Sequence, residues 1–204
     1  MQKNTTLLMT FTRNPELGKV KTRLAKGIGE KAALEVYIKL LEHTENVLQQ
    51  INSDKYVWYS EAIQENDLWN HHSYQKKVQV GNDLGARMLH AFQDAFDNNY
   101  EKVIIIGSDL YDLQPKHIEE AIEALHTNDI VIGPAQDGGY YLLGMNTLHE
   151  KAFLPKNWGT ETVLADTLND LDTKKIKLLE TLNDIDHEED LVPYDLFKKY
   201  LHKI

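Results

Sequence analysis

The segment Lys102–Gly107 (KVIIIG) constrains the fold most, because it holds four consecutive β-branched residues. A continuous apolar run of this kind is typical of a strand buried on both faces of a parallel sheet. Similar runs at Thr5–Thr12, Lys55–Tyr59 and Asp129–Gly133 predict further strands. Apolar residues recur at helical spacing from Glu30 to about Ile51, which predicts a long amphipathic helix. Strands that alternate with helices predict an α/β fold with a mostly parallel sheet flanked by helices.

Weaker patterns predict the remaining elements. They comprise strands at Lys77–Val80, Tyr140–Met145 and Ile176–Leu179, helices at Gly85–Phe96, from Pro115 onward and at Thr160–Leu171, and a helical tail at Glu188–His202 that Pro193 breaks. The stretch Arg13–Gly29 contains Pro15 and three glycines and is predicted to be irregular. We find no linker, internal repeat or low-complexity segment, so we expect a single domain over residues 1–204.

The composition excludes several classes of protein. None of the 204 residues is a cysteine, which excludes disulfides, thiolate zinc sites and cysteine nucleophiles and favours a reducing, cytoplasmic location. No apolar run reaches the length of about 18 residues that a membrane span needs. The net charge of 22 − 32 = −10 makes nucleic acid an unfavourable partner.

A basic segment, Arg13–Lys26, stands out in this acidic chain, with five basic residues against the one acid Glu16. It directly follows the first predicted strand, and ligands of open parallel sheets bind at the carboxyl ends of strands. Glycines allow close backbone approach, and lysine and arginine donate to phosphate oxygens. The candidate phosphate-binding residues are Thr12, Arg13, Gly18, Lys19, Lys21, Thr22 and Arg23. The alternative to phosphate binding is that this segment is only a solvated basic surface. The segment does not match the P-loop motif.

Asp109 follows the strongest predicted strand and is the main candidate metal ligand. One or two such carboxylates suit Mg²⁺ or Mn²⁺ bound to a diphosphate, because water and phosphate supply the other oxygens. The alternative role is that of a turn or cap residue, which we favour for Asp112 near Pro115. Asp186, within the acidic run Asp184–Asp190, is the second candidate ligand, and the other acids of that run are expected to start a helix.

The sequence Asp137-Gly138-Gly139-Tyr140 follows another buried strand. A hairpin turn is its ordinary interpretation. Its place at a strand end, with Tyr140 and Tyr141 next, also predicts a substrate-binding wall made by Gly138, Gly139 and Tyr140. Asp137 is then a candidate catalytic residue beside Asp109.

Five motifs in order connect the chain with a known family. They are FTRNPELGKVKTRL (Phe11–Leu24), GNDLGARM (Gly81–Met88), IGSDLYDL (Ile106–Leu113), GPAQDGGYYL (Gly133–Leu142) and DIDHEEDL (Asp184–Leu191). Together they resemble a transferase family associated with radical-SAM and selenium domains, often called a glycosyltransferase family. They are also similar to phospholactate and molybdenum-cofactor guanylyltransferases.

The resemblance implies a GT-A-like fold, the Rossmann-like fold of nucleotide-diphospho-sugar transferases. It implies that Asp109 is the metal-binding aspartate and that Arg13–Arg23 binds nucleotide phosphates, with Asp83 of the second motif also assigned to the nucleotide. The chain departs from the family's Gly-Ser-Asp-Cys-Pro-Asp-Leu by Leu110 and Tyr111. It departs from Pro-Ala-Glu-Asp-Gly-Gly by Gln136, which removes a carboxylate there.

Three functions remain open from the sequence. The first is glycosyl transfer from a nucleotide sugar to a small acceptor, assisted by Mg²⁺ or Mn²⁺. The second is nucleotidyl transfer, in which a substrate phosphate attacks the α-phosphorus of a nucleoside triphosphate and pyrophosphate leaves. The third is nucleotide binding without catalysis. Glycosyl transfer and nucleotidyl transfer would use the same basic segment and the same metal ion, so the fold does not distinguish these two reactions.

Overall fold

A single sheet forms the centre of the structure, a computed structural model that describes residues 5–201. Within these residues the strands are β1 (Thr6–Thr12), β2 (Asp54–Tyr59), β3 (Gln75–Val78), β4 (Lys102–Ile106), β5 (Ile130–Pro134), β6 (Tyr140–Met145) and β7 (Ile176–Leu178). Their order is β3-β2-β1-β4-β6-β5-β7. The pairs of β6 with β4 and β5 are antiparallel, and the other pairs are parallel. The prediction of a mostly parallel α/β sheet is confirmed.

Helices cover both faces of this sheet. They are α1 (Thr22–Ile28), α2 (Glu30–Gln49), α3 (Leu84–Asp97), α4 (Pro115–Ala124) and α5 (Val163–Asp170), with short 3₁₀ helices at Glu150–Phe153, Glu188–Leu191 and Asp195–Tyr200. Among residues 5–201, none of the helices has the length and apolar character to cross a membrane.

The alternation of side chains along the strands divides the core into two layers. In β4, Ile104 and Ile106 face the layer that contains α2 and α4, whereas Val103 and Ile105 face the layer that contains α3. β1 follows the same rule, with Leu8 on the first side and Met9 on the second. Both strands are therefore apolar on both faces, as the predicted buried runs require.

Two of the predicted elements and one predicted cap need correction. The stretch Arg13–Gly29 is not irregular throughout, because α1 occupies its second half and buries Leu24 completely. Seven residues are too few to carry a clear helical period, and Gly27 weakens the pattern further. The predicted tail is not one broken α-helix but two 3₁₀ helices on either side of Pro193, and His202 lies outside the described residues. Asp112 does not cap α4, whose N-cap is Gln114.

The carboxyl ends of β1, β4 and β5 reach the same edge of the sheet. β1 and β4 are aligned in parallel up to the pair Thr10 and Ile106. The segments that follow these strands begin at Arg13, Gly107 and Ala135, so three of the five sequence motifs meet at this edge.

Candidate functional site

A cavity of about 490 Å³ opens at this edge of the sheet. The basic segment and the segments after β4 and β5 line the cavity. The loop before α5, the acidic run near the C-terminus, and the residues Tyr37 and Leu84 also line it. Such a volume is within the range of small-molecule sites, and its position matches the usual ligand site of open α/β sheets.

Lys21 joins the two aspartates that the sequence predicts as metal ligands. Its Nζ lies 2.9 Å from Asp109 Oδ2 and 3.0 Å from Asp186 Oδ1. Arg23 Nη1 lies 3.2 Å from the other oxygen of Asp186. The Lys21 side chain is only 4% exposed, so its charge depends on these carboxylates for compensation.

The charges of this cluster stabilise one another. Burial by itself would lower the pKa of the Lys21 ammonium, but the attraction of Asp109 and Asp186 outweighs it and the pKa is raised. Burial would likewise raise the pKa of Asp186, but Lys21 and Arg23 hold it below its usual value. Lys21 and Asp186 are therefore charged in the folded protein near neutral pH.

The Tyr37 hydroxyl fixes the start of the basic segment. It accepts a hydrogen bond from the backbone N–H of Arg13 at 2.9 Å and lies 3.1 Å from Thr12 Oγ1 and 3.3 Å from Ser108 Oγ. These groups belong to the ends of β1 and β4, so one side chain of α2 ties the two strand ends together. The Thr12 hydroxyl, predicted to bind phosphate, is buried and takes part in this network instead.

The segment Asp137–Gly139 is a hairpin turn and also borders the cavity. It connects the antiparallel strands β5 and β6, and Asp137 Oδ1 accepts from the Gly139 N–H at 2.8 Å. Gly138 has φ +87°, and a Cβ there would lie 2.1 Å from the Glu161 carbonyl oxygen. Only glycine fits this position, so Gly138 has a backbone role and Asp137 presents its carboxylate beside it.

The acidic run reaches the cavity through a backbone contact with the segment after β4. The N–H of Ile185 donates to the carbonyl oxygen of Asp109 at 3.1 Å, and the N–H of Asp186 donates to Asp190 Oδ2 at 2.9 Å. These bonds hold Asp184 and Asp186 at the cavity, although they lie far from Asp109 in sequence.

The structure brings most predicted site residues together. Those that line the cavity are Arg13, Lys21, Thr22, Arg23, Asp109, Asp137, Gly139, Tyr140 and Asp186. Within residues 5–201, the predicted residues outside the lining are Thr12, Gly18, Lys19, Asp83 and Gly138. Lys19 points instead to Glu16 and Glu61, at 2.8 and 3.3 Å. Asp112 lies in a bend and accepts from the Tyr194 hydroxyl at 2.7 Å, so it also anchors the C-terminal segment.

The sequence prediction missed several residues of the lining. Asp184 lies two positions before Asp186, and the alternating acids of this run were a signal for it. Trp158, in the loop before α5, packs so closely on α3 that a Cβ at Gly85 would lie 2.5 Å from its ring. An isolated tryptophan carries no local signal of this kind, because the contact joins segments distant in sequence.

Asp109 and Asp186, the predicted metal ligands, bring two carboxylates together at the cavity. Mg²⁺ takes one or two protein carboxylates when phosphates and water supply the remaining ligands. In the described part of the chain, no group of three or more acidic, histidine or cysteine side chains is arranged to hold a metal ion. The two carboxylates converge on one point, since a single ammonium contacts both. Two such oxygens suit a cation whose other ligands come from water or a phosphate group.

Replacing Asp83 with alanine is expected to lower the free energy of unfolding by about 1 kcal/mol, since Asp83 accepts from Ala86 N–H at 2.8 Å as the N-cap of α3. Urea denaturation measures this. Asp83→Asn should retain the stability, because asparagine caps equally well. An Asp83→Asn variant as unstable as Asp83→Ala would contradict the capping role. The assignment of Asp83 to the nucleotide stays a prediction.

Asp184 is expected to make the stability of the fold depend on pH. Burial and the nearby charges of Asp137 and Asp186 raise the pKa of Asp184 from 3.8 to about 6, against the opposing effect of Lys21. Between about pH 4 and 6 the folded protein therefore holds a proton that the unfolded chain releases, and stability falls as pH rises. Because Asp184 is partly solvated, the loss is on the order of 1 kcal/mol.

Asp184→Asn should remove this loss. Thermal or urea unfolding at pH 4, 5, 6 and 7 measures the difference between variant and wild type. The variant is expected to gain stability relative to wild type as pH rises, whereas the exposed control Asp172→Asn should not. A variant that tracks the wild type at every pH would show that Asp184 does not carry the effect.

Comparison with known proteins assigns the fold to a class. A solved structure from Desulfovibrio desulfuricans G20, described as a proposed nucleotide-diphospho-sugar transferase, is 30% identical with a TM-score of 0.86, over 96% of this chain and 88% of that one. The 4-diphosphocytidyl-2C-methyl-D-erythritol synthase of Anaerococcus prevotii is 11% identical with a TM-score of 0.60, over 95% and 96% of the two chains. The chain has the nucleotide-diphospho-sugar transferase-like fold.

The sequence comparisons define the family. Residues 42–160 match the family described as "Uncharacterized protein conserved in bacteria (DUF2064)", and the chain belongs to this family. The 2-phospho-L-lactate guanylyltransferase of Methanocaldococcus vulcanius is 24% identical over 128 residues, which are 62% of this chain and 56% of that protein. The chain thus spans little more than half the length of this curated relative.

Proposed function

We propose that this chain is a transferase that uses a nucleotide-activated donor, whose phosphates bind Arg13, Lys21 and Arg23 in the cavity. The observation that carries the proposal is that these cations and the Asp109–Asp186 pair line the same cavity at the carboxyl ends of β1 and β4. The description of the Desulfovibrio relative supports a nucleotide donor. The narrower membership, among transferases associated with radical-SAM and selenium domains, rests on the five motifs and is part of the proposal.

The donor complex also includes Mg²⁺ or Mn²⁺ in this proposal. Asp109 and Asp186 would hold the ion, which would neutralise charge on the leaving phosphates. Lys21 and Arg23 donate charge-assisted hydrogen bonds to the same phosphates. The backbone N–H of Arg13 is engaged by Tyr37, so the segment is already ordered before the donor arrives.

Glycosyl transfer is the reaction that we favour. An acceptor hydroxyl must lose a proton as its oxygen bonds to the sugar carbon, whereas a phosphate nucleophile is already ionised. Besides Asp109 and Asp186, the carboxylates of Asp137 and Asp184 line the cavity. Asp137, on the hairpin, takes the proton in this proposal, and the bond from the sugar carbon to the leaving nucleoside diphosphate breaks. Gly139 and Tyr140 form the adjacent acceptor wall.

Guanylyl transfer is the second candidate, favoured by the name of the curated Methanocaldococcus relative. In that reaction a phosphate of the small acceptor attacks the α-phosphorus of a nucleoside triphosphate, and pyrophosphate leaves. The same cations would hold the triphosphate, and the same carboxylates would hold the divalent ion bound to it. The leaving product therefore distinguishes the two reactions.

The experiment incubates the protein with a panel of nucleotide sugars and of nucleoside triphosphates, with Mg²⁺ or Mn²⁺ and small hydroxyl or phosphate acceptors. Release of a nucleoside diphosphate supports glycosyl transfer, and release of pyrophosphate supports nucleotidyl transfer. Asp137→Asn should bind nucleotide normally but lose most turnover, whereas the exposed control Asp172→Asn should keep it. Full activity of Asp137→Asn would leave Asp137 with only its turn role.

A further inference from the structure

The backbone of Lys21 is in an unusual conformation for a residue with a side chain. It precedes α1 with φ 47° and ψ 45°, the left-handed region, and makes no side-chain cap to the helix. Non-glycine residues are held in this region only when their surroundings determine it. The two ion pairs at the end of the side chain supply such a constraint.

The burial of the three partners is unequal. The side chain of Lys21 is 4% exposed, whereas those of Asp186 and Asp109 are 27% and 43% exposed. The ammonium thus lies on the inner side of the pair, and the carboxylates are accessible from the cavity. An ion that enters the cavity meets oxygens that are already paired with a cation.

The formal charges at this point cancel. The carboxylates of Asp109 and Asp186 contribute −2, and Lys21 and Arg23 contribute +2. A neutral cluster attracts a divalent cation weakly, whereas the phosphates of a bound donor would make it negative. If Lys21 were neutral, the cluster would carry −1 without any donor.

We propose that Lys21 is the resident cation of the Asp109–Asp186 pair and occupies the position of the divalent ion in the nucleotide-free protein. The proposal rests on the proposed function for the identity of that ion. As a consequence, the divalent ion enters with the donor, when the phosphates offer the ammonium another partner. A free protein then does not trap the metal ion in an unproductive complex.

The test is a titration with Mn²⁺ alone, in which electron paramagnetic resonance of the free ion measures the dissociation constant. The wild-type protein is expected to bind Mn²⁺ weakly. Lys21→Met should bind it roughly tenfold more tightly or better, because the competing charge is gone. The exposed control Lys31→Met should match the wild type. Adding Asp109→Asn to Lys21→Met should remove the gain.

Melting curves give a second measurement that does not require a stable variant. Mn²⁺ should raise the melting temperature of Lys21→Met, or induce its folding, and leave the wild type unchanged. Mn²⁺ affinity of Lys21→Met equal to or weaker than that of the wild type would overturn the proposal. Because no nucleotide is present, this outcome is separate from failure of the proposed function, which would appear as a wild-type protein that binds no nucleotide.

Discussion

Replacing Lys21 and Arg23 together with alanine is expected to weaken nucleotide binding by about 10²–10⁴-fold. Each lost charge-assisted contact to a phosphate corresponds to about 1.5–3 kcal/mol. The loss of Lys21 also leaves Asp109 and Asp186 without their buried partner, and these carboxylates then repel the phosphates. Isothermal titration calorimetry without added metal measures the effect, so that changes in metal binding do not contribute.

The matched control for this variant is the double replacement of Lys26 and Lys31 with alanine. Both lysines are exposed, lie on α1 and α2, and do not line the cavity within the described residues. The control removes the same formal charge and should retain nearly the wild-type affinity. Equal affinities of the two double variants would mean that the basic segment acts only through its overall charge.

Asp109→Asn is expected to abolish the metal-dependent part of nucleotide binding. Asparagine keeps the size of the side chain but removes the anionic oxygen that Mg²⁺ or Mn²⁺ requires. Nucleotide affinity with and without metal should become nearly equal in the variant, while the metal-free affinity persists through Lys21 and Arg23. Calorimetry at saturating and at zero Mg²⁺ measures both values.

Asp112→Asn is the control for this change, because it lies on the same segment but bonds to the Tyr194 hydroxyl outside the cavity. It should retain the full metal dependence. If Asp109→Asn also retains it, the ion does not bind at Asp109, and the proposed donor complex is wrong in that part.

The fold was predictable wherever the sequence pattern was long or strongly apolar. β4 and α2 follow from β-branched runs and from a helical period sustained over many residues. The seven-residue α1 escaped prediction because a short helix with a glycine gives no clear period. The interpretation of Asp137–Gly139 as a hairpin turn is met in the geometry, since β6 turns back antiparallel beside β5. Of the predicted substrate-binding wall, Gly139 and Tyr140 line the cavity and Gly138 does not, and the binding role stays a prediction.

The candidate site was predictable only in part, because its contacts join distant segments. Sequence position alone places Lys21 in the segment that follows β1 and Asp109 in the segment that follows β4. It does not predict that Lys21 contacts both Asp109 and Asp186. Asp186 lies 165 residues after Lys21 in the chain. Lys19 is a basic residue of the same segment, but it forms ion pairs with Glu16 and Glu61 outside the cavity. The sequence does not predict the contact with Glu61 either, because it joins distant segments.

The most direct test of the nucleotide-donor proposal is a thermal-shift screen of nucleoside diphosphates, triphosphates and nucleotide sugars with Mg²⁺ or Mn²⁺. A ligand at a hundred times its dissociation constant stabilises the folded protein by about 2.7 kcal/mol, which raises the melting temperature measurably. We expect at least one nucleotide to stabilise the wild-type protein and the Lys26 and Lys31 double variant, but not the Lys21 and Arg23 double variant. Stabilisation of none of them, or of all three equally, would contradict a nucleotide donor in this cavity.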